Sequence, residues 1–291
     1  MKWIFALNGA SVGSYGDFAR VAVVSARRHS SLDAICLFDG DESEPVQGEF
    51  LAWLRAHGVE VVFARSKFLA QIEEVAARSG APEWLRIGAG AFLRLEIPRI
   101  ARERGWDDPY VFYTDCDVIF QSDPRPWLAP LRPRLFAATP ETFLDKPLHM
   151  NTGAMWMNVA ALDDPRLDAW VRANMERCIH LAFDQGALRV FYNPPHRLAW
   201  RLRVSNSLFY GVMSRLGLRT WAWEALPNEL NWKPYWGRNP NACIIHFHGL
   251  KPTQREALAQ GKLEPFIAVM HTPFWDECAN EWDTILRETN G

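Results

Sequence analysis

Tyr110-Val111-Phe112-Tyr113-Thr114-Asp115-Cys116-Asp117-Val118-Ile119-Phe120 sets two carboxylates between apolar runs that both read as buried β-structure. A charge in such a place is costly unless a counter-charge or a cation meets it. In extended backbone, residues i and i+2 point to the same side, so Asp115 and Asp117 can face one cation together. The pair falls just past the carboxyl end of a strand, where open α/β sheets bind their ligands.

Upstream, short apolar runs alternate with longer amphipathic ones, the pattern of crossover units around a mainly parallel sheet. Trp3–Leu7, Ala34–Phe38, Val59–Phe63 and Tyr110–Tyr113 read as strands. Asp17–His29, Phe50–His57, Phe68–Arg78 and Ala91–Arg104 carry helical spacing, with Asp17 placed as an N-cap. From about residue 130 the rhythm loosens into a mixed α+β half with turns at Asn193-Pro194-Pro195 and Asn239-Pro240, closed by a helix over Phe274–Arg287. No linker, fixed-period repeat or low-complexity tract interrupts the chain, so one continuous α/β domain is expected.

Composition narrows the function classes. The 291 residues are 48% apolar and 23% charged, an ordinary folded body. Lys+Arg 32 against Asp+Glu 34 leaves no basic surplus for a polynucleotide, and no nucleic-acid partner is expected. The five cysteines are scattered and lack a C-x-x-C pair, which argues against a disulfide framework and a zinc knuckle. No apolar run reaches the roughly 18–20 residues of a transmembrane span, and Trp3–Leu7 is too short for a signal h-region. A cytoplasmic protein is expected, with peripheral association at the inner face of a membrane left open.

On local grounds the Asp pair has three readings: a turn with two solvated acids, a metal site, or a haloacid-dehalogenase-like phosphatase with Asp115 as nucleophile. The third fits poorly, because Ile119 stands where that family has Thr or Val and the motif lies far from the N-terminus. Further segments decide between them. Ala91-Phe92-Leu93-Arg94-Leu95-Glu96-Ile97-Pro98, the Asp115-Cys116-Asp117 run, Asn151-Thr152-Gly153, Asp184-Gln185 and His246-Phe247-His248-Gly249-Leu250-Lys251-Pro252 follow one another in the order and approximate spacing of glycosyltransferase family 8. The chain resembles that family from its first strand to about residue 252.

The resemblance implies a GT-A fold, a Rossmann-like mixed sheet flanked by helices, with residues 1–130 as the nucleotide-binding half and 131–291 as the sugar and acceptor half. It implies a metal-dependent retaining hexosyltransferase taking a UDP-sugar, UDP-glucose or UDP-galactose, to a glycan, a lipid-linked glycan or another hydroxyl acceptor. Mn²⁺ or Mg²⁺ would be held by Asp115, Asp117 and an imidazole. His246 opens the H-x-x-G segment that supplies that imidazole in the family, and His248 competes with it. Nucleotide contacts are implied for Asn8, Arg94, Gly249 and Lys251, and contacts to the donor sugar for Asn151 and Asp184. Gln185 would lie beneath the anomeric carbon, with Asp184 and Gln185 as the catalytic pair.

The chain departs from the family in three places: Lys251 follows Gly249 by two residues where better-known members have three, Thr253 replaces a common Trp, and Gly9 to Ser14 separate Asn8 from Tyr15. Locally, Arg94 also reads as a surface salt bridge on a helix, Asn151 as a turn before a strand, and Asp184 as a helix cap. Fourteen tryptophans, with Trp232 and Trp236 near the presumed acceptor side, suggest sugar stacking or simple packing. An aspartyl-phosphate phosphohydrolase and a non-catalytic nucleotide-sugar-binding protein stand as alternatives.

Overall fold

Successive residues of a strand face opposite sides, and the first strand shows it directly. Trp3, Phe5 and Leu7 enter one buried apolar cluster, while Ile4 enters the other. The computed structural model describes residues 1–146, 149–193 and 221–289. Within these, β1 (Lys2–Asn8), β2 (Asp33–Asp39), β3 (Glu60–Phe63) and β4 (Tyr110–Thr114) run parallel, as their apolar content predicts.

β5 (Val118–Phe120) leaves that sheet, whereas β6 (Phe136–Pro140), β7 (Met150–Asn158) and β8 (Glu224–Ala225) extend it in the order β3-β2-β1-β4-β7-β6-β8. The β4–β7 and β7–β6 pairs are antiparallel, which makes the seven-stranded sheet mixed. β9 (Ile244–His246) pairs antiparallel with β5, with His246 opposite Val118. A residue from near the end of the chain is thereby set beside Asp117.

Helices cover both faces. α1 (Val12–His29), α2 (Pro45–Ala56) and the closing helix Pro273–Thr289 lie on one side, where Phe18, Phe50, Trp275 and Trp282 are buried. The other side is packed by α3 (Leu69–Ser79), α4 (Pro82–Ala91) and α5 (Ile97–Glu103), and by α7 (Val159–Leu162), α8 (Pro165–Ala173), α9 (Met175–His180) and α10 (Phe183–Phe191), whereas the short α6 (Arg125–Leu128) buries Leu128 in the first cluster. No helix among the described residues is long and apolar enough to cross a membrane. All five cysteines are buried free thiols.

Several local expectations change. The helix predicted over Ala91–Arg104 is a 3-10 turn, Phe92–Glu96, followed by α5. A continuous helix would put the Pro98 ring against the carbonyl of Arg94 and remove a hydrogen bond, whereas Pro98 is tolerated in the first turn of α5. Asp17 is no cap: α1 starts at Val12, and Asp17 lies within it, paired to Arg20 at 3.0 Å. α2 begins ahead of the predicted Phe50 because Pro45 opens it and the Glu44 carboxylate accepts from the Gln47 N–H at 2.8 Å. Asn151 lies inside β7, paired with Thr139, and not in a turn. The closing helix extends the predicted Phe274–Arg287 by a residue or two at each end. Pro194 and Pro195 of the predicted turn lie outside the described residues.

One buried hydroxyl ties α1 to β5. Ser25 Oγ accepts the Phe120 N–H at 3.1 Å and donates to the Ala22 carbonyl. Ser25→Ala should leave that buried N–H without a partner and cost roughly 1–3 kcal/mol, read as a lower urea midpoint with an unchanged slope.

Candidate active site

Asp115 and Asp117 lie in the connection between β4 and β5, beyond regular strand, so the same-side rule for extended chain is not what unites them. They converge because the chain turns there and is pinned on both sides. The Asp115 N–H donates to the Gly153 carbonyl at 2.9 Å, and the Asp117 carbonyl accepts the Phe247 N–H at 3.0 Å. One ligand atom each from Asp115, Asp117 and His246 lies within 4.8 Å of the others, a set able to hold a metal ion. His246 Nε2 is 3.4 Å from Asp117 Oδ1 and 3.9 Å from Asp115 Oδ2.

The imidazole is aimed by its other nitrogen. His246 Nδ1 donates to Asn231 Oδ1 at 2.7 Å, which turns Nε2 toward the two aspartates. Asn231 is held in turn: its Nδ2 donates to Thr139 Oγ1 at 2.7 Å and to Asn151 Oδ1 at 2.9 Å. Room for the ring comes from Gly153, where a Cβ would collide with His246. His248 lies past the end of β9, its Nδ1 against the Tyr235 hydroxyl at 2.8 Å, outside the three-residue cluster. Burial, with His246 and Lys233 nearby, holds its pKa well below the usual value.

Charge balance explains how the acids tolerate their positions. Burial alone would raise the Asp117 pKa, but Lys251 and His246 hold it well below the carboxylate range. The Lys251 ammonium donates to Asp117 Oδ2 and to the Phe247 carbonyl. Arg94 is only 4% exposed, which corrects the surface salt bridge reading. It donates to Asp115 Oδ1 at 2.8 Å, pairs with Asp184 Oδ2 at 2.9 Å and lies 4.3 Å from the Tyr113 ring centroid. Asp184 does not cap α10, because Ala182 holds that position with φ 70°. Burial pushes the Asp184 pKa up to about 6, against the pull of Arg94 and with the push of Asp115.

The left-handed pair Ala182 and Phe183, φ 70° and 56°, turns the chain sharply into α10 and directs Asp184 and Gln185 inward. Gly186 is needed beside them, since a Cβ there would strike the Leu181 carbonyl oxygen. Gln185 Oε1 accepts from Asn151 Nδ2 at 3.2 Å and the Thr152 N–H at 3.1 Å, while its Nε2 donates to Glu141 Oε1 at 2.7 Å. An unbroken run of hydrogen bonds therefore joins Gln185, Asn151, Asn231 and His246. Sequence reasoning missed Asn231 and Glu141. Neither lies in a motif, although the polar Asn231 beside aromatic Trp232 was a weak signal of a buried amide.

A cleft of about 270 Å³ opens on the cluster, bordered by Asn8, Tyr15, Arg94, Asp115, Asp117 and Lys251 among others. Tyr15 reaches it although Gly9 to Ser14 intervene, because a 3-10 turn, Gly9–Ser11, and the first turn of α1 take up those residues. Asn8 Nδ2 donates to the Arg86 carbonyl, whereas Asn8 Oδ1 is buried without a hydrogen-bond partner. Gly249 has φ 81°, and a Cβ on it would collide with Met270 Sδ.

No protein-family model matches the chain, and no curated protein matches it. Solved structures do. The galactosyltransferase LgtC, crystallised with donor and acceptor sugar analogs, is similar at 17% identity and a TM-score of 0.59, over 99% of this chain and 96% of that one. The glycosyltransferase GlyE of Streptococcus pneumoniae gives 16% identity and a TM-score of 0.52 over 99% of this chain, which spans only 63% of that protein. Mouse xyloside xylosyltransferase 1 gives 15% and 0.51, over 84% and 96% of the two chains. The chain therefore has the GT-A glycosyltransferase fold, as the sequence resemblance implied.

Two measurements test this geometry. Asn231→Leu frees the His246 ring from its orienting acceptor and, with Mn²⁺ used as a probe ion in an electron paramagnetic resonance titration, should weaken any affinity of the cluster for it by roughly 10–100-fold. Asp184 gives a pH signature. With its folded pKa near 6 above a reference of 3.8, its contribution to stability is fully present below that reference and is lost as pH rises through 6. Melting temperatures of the parent should therefore fall relative to Asp184→Asn across this window; a pH-independent difference would contradict the assignment.

Proposed function

We propose that the chain is a retaining hexosyltransferase that takes a UDP-sugar, UDP-glucose or UDP-galactose, as donor and a hydroxyl of a glycan or lipid-linked glycan as acceptor. The observation that carries this reading is the convergence of Asp115, Asp117 and His246 beyond the carboxyl ends of the parallel strands. Two carboxylates and one imidazole, open to a cleft, make a hard donor set that fits Mn²⁺ or Mg²⁺ better than a thiolate-seeking metal. Asp115, Asp117 and His246 would hold a divalent ion, which would supply positive charge to offset that of the diphosphate leaving group.

The chain's own residues do the rest. Asn8 Oδ1, buried and unpartnered, accepts an N–H or O–H of the base or ribose. The Lys251 ammonium meets the phosphates as a point charge from the same cleft. Arg94 fixes Asp184, whose carboxylate takes sugar hydroxyls, and Asn151 sets its amide against the same ring. Gln185 lies on the sugar face opposite the leaving group with its carbonyl oxygen already accepting two hydrogen bonds. An amide is a poor nucleophile and this one is engaged, which supports front-side attack with the acceptor proton passing to the departing diphosphate. Asp115 Oδ1 accepts from both Arg94 and Tyr113, so the acid is held as a ligand and is ill placed to be a phosphohydrolase nucleophile.

UDP should raise the melting temperature by several degrees with Mn²⁺ present and have no effect after chelation, and Asp117→Ala should abolish the shift. Equal stabilisation by UDP with and without the metal would overturn the reading.

A further inference from the structure

β9 borders two clefts. Successive residues of a strand point to opposite sides, and here His246 borders the nucleotide cleft while Ile245 borders another. This second cleft has a volume of about 530 Å³, within the roughly 300–1,000 Å³ of small-molecule sites. It shares no residue with the nucleotide cleft.

Its walls come from fixed elements. The closing helix contributes Phe274, Glu277, Cys278 and Glu281, whose spacing of three and four puts them on one helical face. On the strand side, just past β5, the Gln121 N–H donates to the Cys243 carbonyl at 2.7 Å. The Asn241 N–H donates to Asn239 Oδ1 at 2.9 Å, which sets the turn at the rim.

The lining suits hydroxyl groups on a neutral ring better than it suits an anion. Trp127 and Phe274 supply the aromatic surface on which the C–H face of a sugar packs. Gln121 Nε2 donates to Glu281 Oε2 at 2.8 Å, which leaves Gln121 Oε1 and Glu281 Oε1 as acceptors. The Trp127 indole N–H and the Asn241 side-chain amide have no hydrogen-bond partner among the described residues. A hydroxyl both donates and accepts, so it can engage either set. Among the described residues of the lining Arg238 is the one cation, and it is paired to Glu277 and lies 5.5 Å from the Phe274 ring centroid. The Glu281 carboxylate then tips the local charge negative, against a phosphate or a carboxylate.

We infer that this cleft is a second saccharide site, one that binds a neutral sugar and takes no part in bond making. The β5–β9 ribbon stands between it and the Asp115, Asp117 and His246 cluster, so a sugar held there is out of reach of the donor. The binding itself is independent of the transferase reading. Its use, to hold a glycan by a segment remote from the reacting hydroxyl, rests on that reading.

The test is fluorine NMR of the full chain labelled with fluorotryptophan, the Trp127 line being identified by its absence from Trp127→Phe. Maltose and lactose are the probes, with glucose and glucose 6-phosphate as the charge comparison. At least one disaccharide should shift the Trp127 line saturably, and glucose 6-phosphate should bind more weakly than glucose. Asn241→Ala removes an exposed amide without a partner; it should keep its melting temperature and weaken the disaccharide by roughly two- to tenfold. Asp117→Ala and saturating UDP should both leave the shift in place. Absence of a saturable shift with either disaccharide would overturn the inference, as would unaltered affinity in Asn241→Ala. Loss of the shift in Asp117→Ala or with UDP would assign it to the nucleotide cleft and refute a second site. Glucose 6-phosphate binding as tightly as glucose would refute the neutral class of ligand. Failure of UDP to bind while the disaccharide shift stands would count against the transferase reading alone.

Discussion

Keeping the charge of Asp117 inside the protein is the constraint around which this structure is organised. A buried carboxylate survives only if other groups meet it, and here they come from the far end of the chain: His246 on β9 and Lys251 just after it. The β5–β9 pairing delivers both, so the small second sheet is as necessary to the site as the large one. Ser25 anchors β5 from beneath, and Gly153 clears the space that His246 fills. Secondary structure, packing and electrostatics are thus settled by one local requirement.

The amides extend that requirement toward the chemistry. Each of Gln185, Asn151 and Asn231 uses its carbonyl oxygen and its NH₂ on different neighbours, so turning any one would set like against like at both ends. The orientation of the imidazole beside the aspartates and that of the amide nearest the proposed sugar are consequently linked. Glu141 closes the run at its outer end, accepting from the Gln185 NH₂.

How much of this was legible in the sequence follows from the range of each interaction. β1 to β4 were readable because buried parallel strands are continuous apolar runs. The Asp pair drew notice because acids between such runs are costly, although the reason they face each other is a turn and not strand geometry. The break at Phe92–Glu96 was missed because helical spacing continues through Pro98 while the backbone does not. The roles of Asn231 and Glu141 were missed for another reason: their importance lies in partners distant along the chain, and beyond the aromatic neighbour of Asn231 no local pattern points to such a pairing. His246 and His248 became distinguishable only when β9 was seen to stop between them.

The Lys251 contact with Asp117 carries a further meaning. One ammonium grips both the Asp117 carboxylate and the Phe247 carbonyl, so a single flexible side chain fastens the turn after β4 to the segment that follows β9. Charge compensation and mechanical fastening therefore reside in the same group, and a neutral side chain of equal length at position 251 would forfeit both at once.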